Sequence, residues 1–233
     1  MKKALALAFA GLFCAVLGLA ALASDKVPMA AGTWSLSNWN LSDSVTLRLS
    51  YRERGTHWEW GTSQDISDFK GLSKDHLHSL STPVAFTLER DAGVFFFEGT
   101  VILGVGRGDY HFVASPSYAA RLAELGYETI DGQDSALMFL AVRDLSLDYA
   151  KEVKRLGIAN LKVPDLVRFL DHGIDLKFMR ELAATGYPGL TADDIIMLRD
   201  HGIDAPYIAR VQAAGFKGVT VDQIVRLHDH GVD

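Results

Sequence analysis

The residues of this chain best suited to chemistry recur on a fixed spacing. His172, His201 and His230 stand 29 residues apart, and each follows an aspartate: Asp171, Asp200 and Asp229. Imidazole beside carboxylate is ligand chemistry for zinc, which makes these three histidines the metal candidates. The spacing speaks against a shared ion. Equivalent residues of neighbouring stacked units lie about one helix diameter, about 10 Å, apart, whereas zinc holds each ligand at about 2 Å. His228 and His230 are two residues apart, point to different sides of a helix and chelate poorly. The favoured reading is structural: each histidine falls in a last helical turn, where a ring prone to positive charge complements the carbonyl end. No metal and no cofactor is expected.

Trp34, Trp39, Trp58 and Trp60 form the other notable group. Trp58 and Trp60 are two apart, so on a strand they share a face. They would either form an aromatic platform for sugar or peptide, or cap the core of a small sheet, and the core is favoured. The glycine run Gly104-Val105-Gly106-Arg107-Gly108 lacks the Gly-Lys-Ser/Thr and helix that a phosphate loop needs, and Asp109 and a strand-like segment follow it. It reads as a turn. No His-Glu-x-x-His, Gly-x-Ser-x-Gly or Cys-x-x-Cys motif occurs.

The elements that must position these residues are set by repetition. Leu147 to Asp175, Leu176 to Asp204 and Ala205 to Asp233 are consecutive 29-residue units, each closing on Asp-His-Gly-Ile/Val-Asp. A looser copy starts near Pro116, matches at Tyr118, Leu125, Gly126 and Tyr127, and carries two extra residues before Leu147. Such a period specifies a stack in which no unit buries its apolar face alone. Glycines at 157, 173, 186, 202, 215 and 231 are each followed by an apolar residue, the pattern of a left-handed helix stop and its hydrophobic plug. Thr191 with Asp194 and Thr220 with Gln223 have the form of capping boxes, and Asp175 and Asp204 stand where helices begin. Each unit is therefore two short helices. The chain stops at Asp233 on a cap, so the last unit is expected to leave an uncovered stacking face.

Before the repeats the pattern changes. Val45 to Arg52 alternates apolar and polar residues, and Val84 to Arg90, Asp91-Ala92-Gly93 and Val94 to Thr100 read as a hairpin. Five or six antiparallel strands are expected, with a loop and short helix over residues 65–80. The fold class is thus α+β: an antiparallel β domain over residues 32–115, then a helical repeat domain, a short α-solenoid, over 116–233.

Residues 1–23 read as an export signal, because Lys2 and Lys3 precede an apolar run that ends in Ala21-Leu22-Ala23. An uncleaved membrane anchor is the alternative. Cys14, the chain's one cysteine, lies in that run, so a cleaved protein would form no disulfide. Loss of Lys2 and Lys3 would move the formal charge from −6 to −8, which argues against nucleic-acid or anionic-membrane partners. A periplasmic or secreted location is expected.

Gly93-Val94-Phe95-Phe96-Phe97-Glu98-Gly99, then Gly104 to Phe112, then Tyr118, Leu122, Leu125 and Gly126, followed by the Leu-Arg-Asp-His-Gly units, resembles a poorly characterised extracytoplasmic bacterial module. In that group a small β domain leads into helical repeats. Some relatives carry the module after membrane-bound metallopeptidases similar to antibiotic-sensing bla regulators, which implies a sensing or interaction role. This chain has no peptidase motif, so a protease function is not carried over. The leading expectation is an exported, non-catalytic module or scaffold that binds a protein or peptide of the cell envelope. A hydrolase acting on an envelope polymer and a purely structural spacer are the alternatives.

Overall fold

A computed structural model of the protein describes residues 30–38, 42–53, 56–128, 134–158, 160–216 and 218–232. The expected export signal with Cys14, Trp39 and the terminal Asp233 lie outside the described residues. Among the described residues no helix is long and apolar enough to cross a membrane. The architecture is α+β: an antiparallel sheet followed by a run of helices.

Seven strands make the sheet: β1 (Ala30–Ser37), β2 (Ser44–Glu53), β3 (Thr56–Asp65), β4 (Phe69–Lys70), β5 (Thr82–Arg90), β6 (Gly93–Ile102) and β7 (Val105–Ala114). Their order is β3-β2-β1-β7-β6-β5-β4, and every pairing is antiparallel. β3 and β4 form opposite edges, yet only residues 66–68 separate them. Four Cα steps reach about 14 Å at most, whereas the edges of a flat seven-stranded sheet lie about 29 Å apart. The sheet must curl until its edges approach. Arg90 Nη2 in β5 donates to Gln64 Oε1 in β3 at 2.7 Å, a bond that a flat sheet could not make.

Trp34, Leu36, Leu47, Leu49, Phe86, Phe95, Phe97 and Phe112 fill the inward face. The strand count exceeds the expected five or six because the segment read as a loop also contributes β4, ahead of the expected short helix α1 (Lys74–His78). Only the first residue of the glycine run belongs to a turn. The chain reverses at Leu103 and Gly104, both at positive φ, and Gly106 and Gly108 already belong to β7. Both are held to glycine by close neighbours: a β-carbon on Gly106 would stand 2.7 Å from the Trp34 ring, and one on Gly108 would collide with the Glu98 carbonyl of β6. The indole Nε1 donates to the Glu98 carbonyl at 3.1 Å.

The helices pair into four units: α2 (Tyr118–Glu124) with α3 (Asp134–Val142), α4 (Leu147–Arg155) with α5 (Val163–Asp171), α6 (Leu176–Ala184) with α7 (Ala192–Asp200), and α8 (Ala205–Ala213) with α9 (Val221–Asp229). First helices stack in one row, α2 to α4 to α6 to α8, and second helices in another, α5 to α7 to α9. The six stop glycines have φ between 65° and 94°. At Gly173 the motif is complete: Gly173 N–H donates to Leu170 O, and Ile174 N–H to Phe169 O. Asp175, Thr191, Asp204 and Thr220 cap as expected, each accepting the backbone N–H three residues on. Helices of nine residues are marginal alone, so the stacked Leu, Ile and Phe side chains hold them.

The first unit joins the two halves. α3 is apolar on nearly every side and packs across β1, β6 and β7, burying Leu137, Met138, Leu140, Ala141 and Val142. Asp144 stands where later units have the stop glycine, and it adopts the same left-handed turn at φ 52°. Its carboxylate pairs with Arg90 Nε of the β5–β6 hairpin at 3.1 Å. The neighbouring Asp91 Oδ2 accepts the N–H of Leu147, the first residue of α4, at 2.8 Å.

Candidate functional site

The histidine positions are settled by the units that follow them. His172, His201 and His230 are each the residue that ends a second helix, and their backbone N–H groups close its last turn. Their rings do not converge. His172 Nδ1 lies 2.7 Å from Asp200 Oδ1, and His201 Nδ1 lies 3.2 Å from Asp229 Oδ1. The equivalent of these histidines in the first unit is Arg143, whose Nε donates to Asp171 Oδ1 at 2.8 Å. Arg143, His172 and His201 thus tie each unit to the aspartate of the next. A carboxylate only accepts, so each paired imidazole carries its proton on Nδ1. Among the described residues no three His, Cys, Asp or Glu side chains form a group able to hold a metal. Dipole complementarity alone does not describe the histidines. Their partner is 28 residues ahead, which only the stack brings near.

Asp229 receives two imidazoles. The hydrogen bond from His201, with further help from His228, holds its carboxyl below the usual aspartate range. His228 sits edge-on to the Tyr207 ring, with centroids 5.0 Å apart.

A second ladder, unexpected from the sequence, runs through the tyrosines. Tyr118 OH donates to Leu145 O at 2.5 Å, Tyr149 OH to Ile174 O at 2.8 Å and Tyr207 OH to Val232 O at 2.7 Å. In the first, second and fourth units a first-helix hydroxyl therefore satisfies the carbonyl of the plug that follows the second helix. The third unit has Phe178 at this place, with no hydroxyl to offer Ile203. Burial pushes the Tyr118 and Tyr149 phenols well above their ordinary range and the Tyr127 phenol up to about 12. These hydroxyls are structural donors.

Trp58 and Trp60 lie on β3, opposite Tyr51 and Leu49 of β2. They share the inward face with those buried residues and are themselves half-buried against the core. The Tyr51 and Trp58 rings stand 5.5 Å apart at 38°. Trp60 also borders an open hollow of about 430 Å³ on the sheet, with Arg48 and Glu59 on its lip.

A concavity of about 590 Å³ lies between the second and third repeat units. Its floor is Leu156, Ile158, Leu161, Met179, Leu182 and Leu190, and its rim is polar. On that rim Arg168 Nη2 donates to Asp193 Oδ1 at 2.6 Å and Nη1 to Asp165 Oδ1 at 3.5 Å. The volume falls within the roughly 300–1,000 Å³ of ligand sites, and the exposed lining is about as polar as it is apolar.

The groove exists because two repeat positions are occupied by short side chains. After the stop glycine of the first helix the four units carry Tyr127, Ile158, Tyr187 and Phe216. Tyr127 crosses to the second unit, where its OH donates to Ala150 O at 2.9 Å, and Tyr187 crosses to the fourth, where its OH donates to Val219 O. Ile158 is too short to cross to the third. The other position holds Lys154, Ala183 and Gln212. Lys154 Nζ reaches back to Gly126 O at 3.0 Å and lies 5.0 Å from the Tyr127 ring centroid, covering the first junction. Ala183 covers nothing at the second. Comparing the units position by position would reveal both substitutions. That they open one shared groove depends on the stacking.

No family model matches the chain, and no match was found among curated proteins or solved structures.

Proposed function

We propose that this chain is an exported binding module that holds an extended segment of a cell-envelope protein in the groove between its second and third repeat units. The observation that carries this reading is the open junction at Ile158 and Ala183, beside junctions that the chain fills with its own tyrosines. Stacked repeats expose long faces suited to partners, and a groove floored by leucines with a charged rim favours an apolar side chain on a peptide backbone. The basic, apolar and small-residue pattern of residues 1–23 supports export. The resemblance to a module that accompanies membrane-bound regulators supports a sensing or scaffold role.

Selection from a displayed random-peptide library on the purified protein tests this. Enriched peptides should bind the wild type and lose binding to Ala183→Trp, which places a large ring over the groove from an exposed position. If no peptide enriches, or if Ala183→Trp binds as well as wild type, the groove is not the site.

A further inference from the structure

The junctions on either side of the groove show what fits it. At the first junction the chain supplies a tyrosine ring with a lysine ammonium above it, Tyr127 with Lys154, and the ammonium bonds Gly126 O. At the third it supplies Tyr187, whose hydroxyl bonds Val219 O. The second junction keeps the matching acceptors. Gly157 is the equivalent of Gly126, Leu190 is the equivalent of Val219, and both line the groove. The corresponding side chains are Ile158 and Ala183, which supply neither ring, hydroxyl nor ammonium.

We infer that the ligand of this groove is a partner peptide carrying a tyrosine beside a lysine, in which the tyrosine takes the place that Tyr187 holds at the third junction and the lysine the place that Lys154 holds at the first. This deepens the proposed peptide-binding role and rests on it. The tyrosine ring lies on Leu156, Ile158 and Leu182, and its hydroxyl donates to Leu190 O, as Tyr187 donates to Val219 O. The lysine ammonium donates to Gly157 O. The rim favours a cation, because Asp165 and Asp193 carry two negative charges against the single guanidinium of Arg168. The groove is larger than one ring requires, which leaves room for the peptide backbone.

The test uses three short blocked peptides, Ala-Lys-Tyr-Ala, Ala-Lys-Phe-Ala and Ala-Glu-Tyr-Ala, titrated into the isotopically labelled protein and followed by amide NMR shifts. The lysine-tyrosine peptide is expected to give saturable shifts at Leu182, Leu190 and Arg168. Loss of the hydroxyl should weaken binding about threefold to tenfold, the worth of one hydrogen bond. Charge reversal should weaken it similarly, and more at low salt. Ile158→Tyr with Ala183→Lys rebuilds the filled first junction inside the second, and it should abolish the shifts while raising Tm. If that variant does not fold, Ala183→Lys alone, at an exposed position, should still weaken binding. Equal binding of all three peptides, or unchanged binding to either filled variant, overturns the inference. If library-selected peptides bind the groove without a tyrosine-lysine pair, the inference fails and the peptide-binding role stands. If no peptide binds at all, both fail.

Discussion

His172 Nδ1 and Asp200 Oδ1 meet at 2.7 Å although 28 residues separate them, because each belongs to the same helix end in successive units. The most repeated polar word in the chain is therefore a rivet between repeats. Both side chains are more than one-third exposed, so solvent screens the pair and its worth is modest. A double-mutant cycle over His172→Ala and Asp200→Ala, read by denaturant unfolding, is expected to give a coupling of about 0.2–1 kcal/mol. Addition of zinc or of a chelator should leave Tm unchanged. A rise of many degrees with stoichiometric zinc would return the histidines to metal chemistry.

Asp229 links this ladder to pH. Its carboxyl is held below the ordinary value of 3.8, chiefly by the hydrogen bond from His201. A depressed folded pKa contributes stability that is present above the unfolded value and lost as pH falls through the folded one. Acid unfolding of wild type should thus steepen below about pH 4, and His201→Ala should flatten that limb. Identical acid limbs would show that the pair contributes nothing.

The tyrosine ladder allows tests in both directions. Tyr149→Phe removes the donor to the Ile174 carbonyl in a buried place and should cost about 1–3 kcal/mol. Phe178→Tyr supplies the hydroxyl that the third unit lacks and should add about 0.5–1.5 kcal/mol. Chemical denaturation followed by circular dichroism measures both. A destabilised Phe178→Tyr would mean that the hydroxyl does not reach Ile203.

At the joint between sheet and repeats, Asp144 has its pKa raised. Although its side chain is 60 % exposed, partial desolvation beside the hairpin outweighs the attraction of Arg90, and Asp91 and Asp68 repel it further. A raised folded pKa means a contribution fully present below the ordinary 3.8 and lost as pH rises through the folded value. Asp144→Asn keeps an acceptor for Arg90, tolerates the left-handed turn and removes the repulsion from Asp91 and Asp68. It is expected to be at least as stable as wild type at neutral pH, with the difference vanishing in acid. A loss at neutral pH would show that the ion pair with Arg90 dominates.

Gly106 gives the sheet a test of packing. Gly106→Ala places a methyl against the Trp34 ring and should destabilise by about 1–3 kcal/mol through overpacking. A neutral result in thermal unfolding would mean that the indole has room to move.

Repetition made the helical half legible. Glycine stops, apolar plugs, aspartate and threonine caps and the α+β order follow from local rules, since a cap or left-handed turn is decided within about four residues. Alternation likewise exposed β2 and the β5–β6 hairpin. What lay beyond sequence reasoning were contacts between residues far apart in the chain. That Gly106 lies against Trp34, that β3 and β4 close a curl, that His172 grips Asp200 and that Arg90 holds Asp144 all depend on how units and strands are set side by side. The groove shows this division most directly. Aligned repeats already show Ile158 and Ala183 as short where other units carry Tyr127, Tyr187 and Lys154. That both shortfalls meet at one junction follows from the stacking, which places the loop of one unit over the first helix of the next.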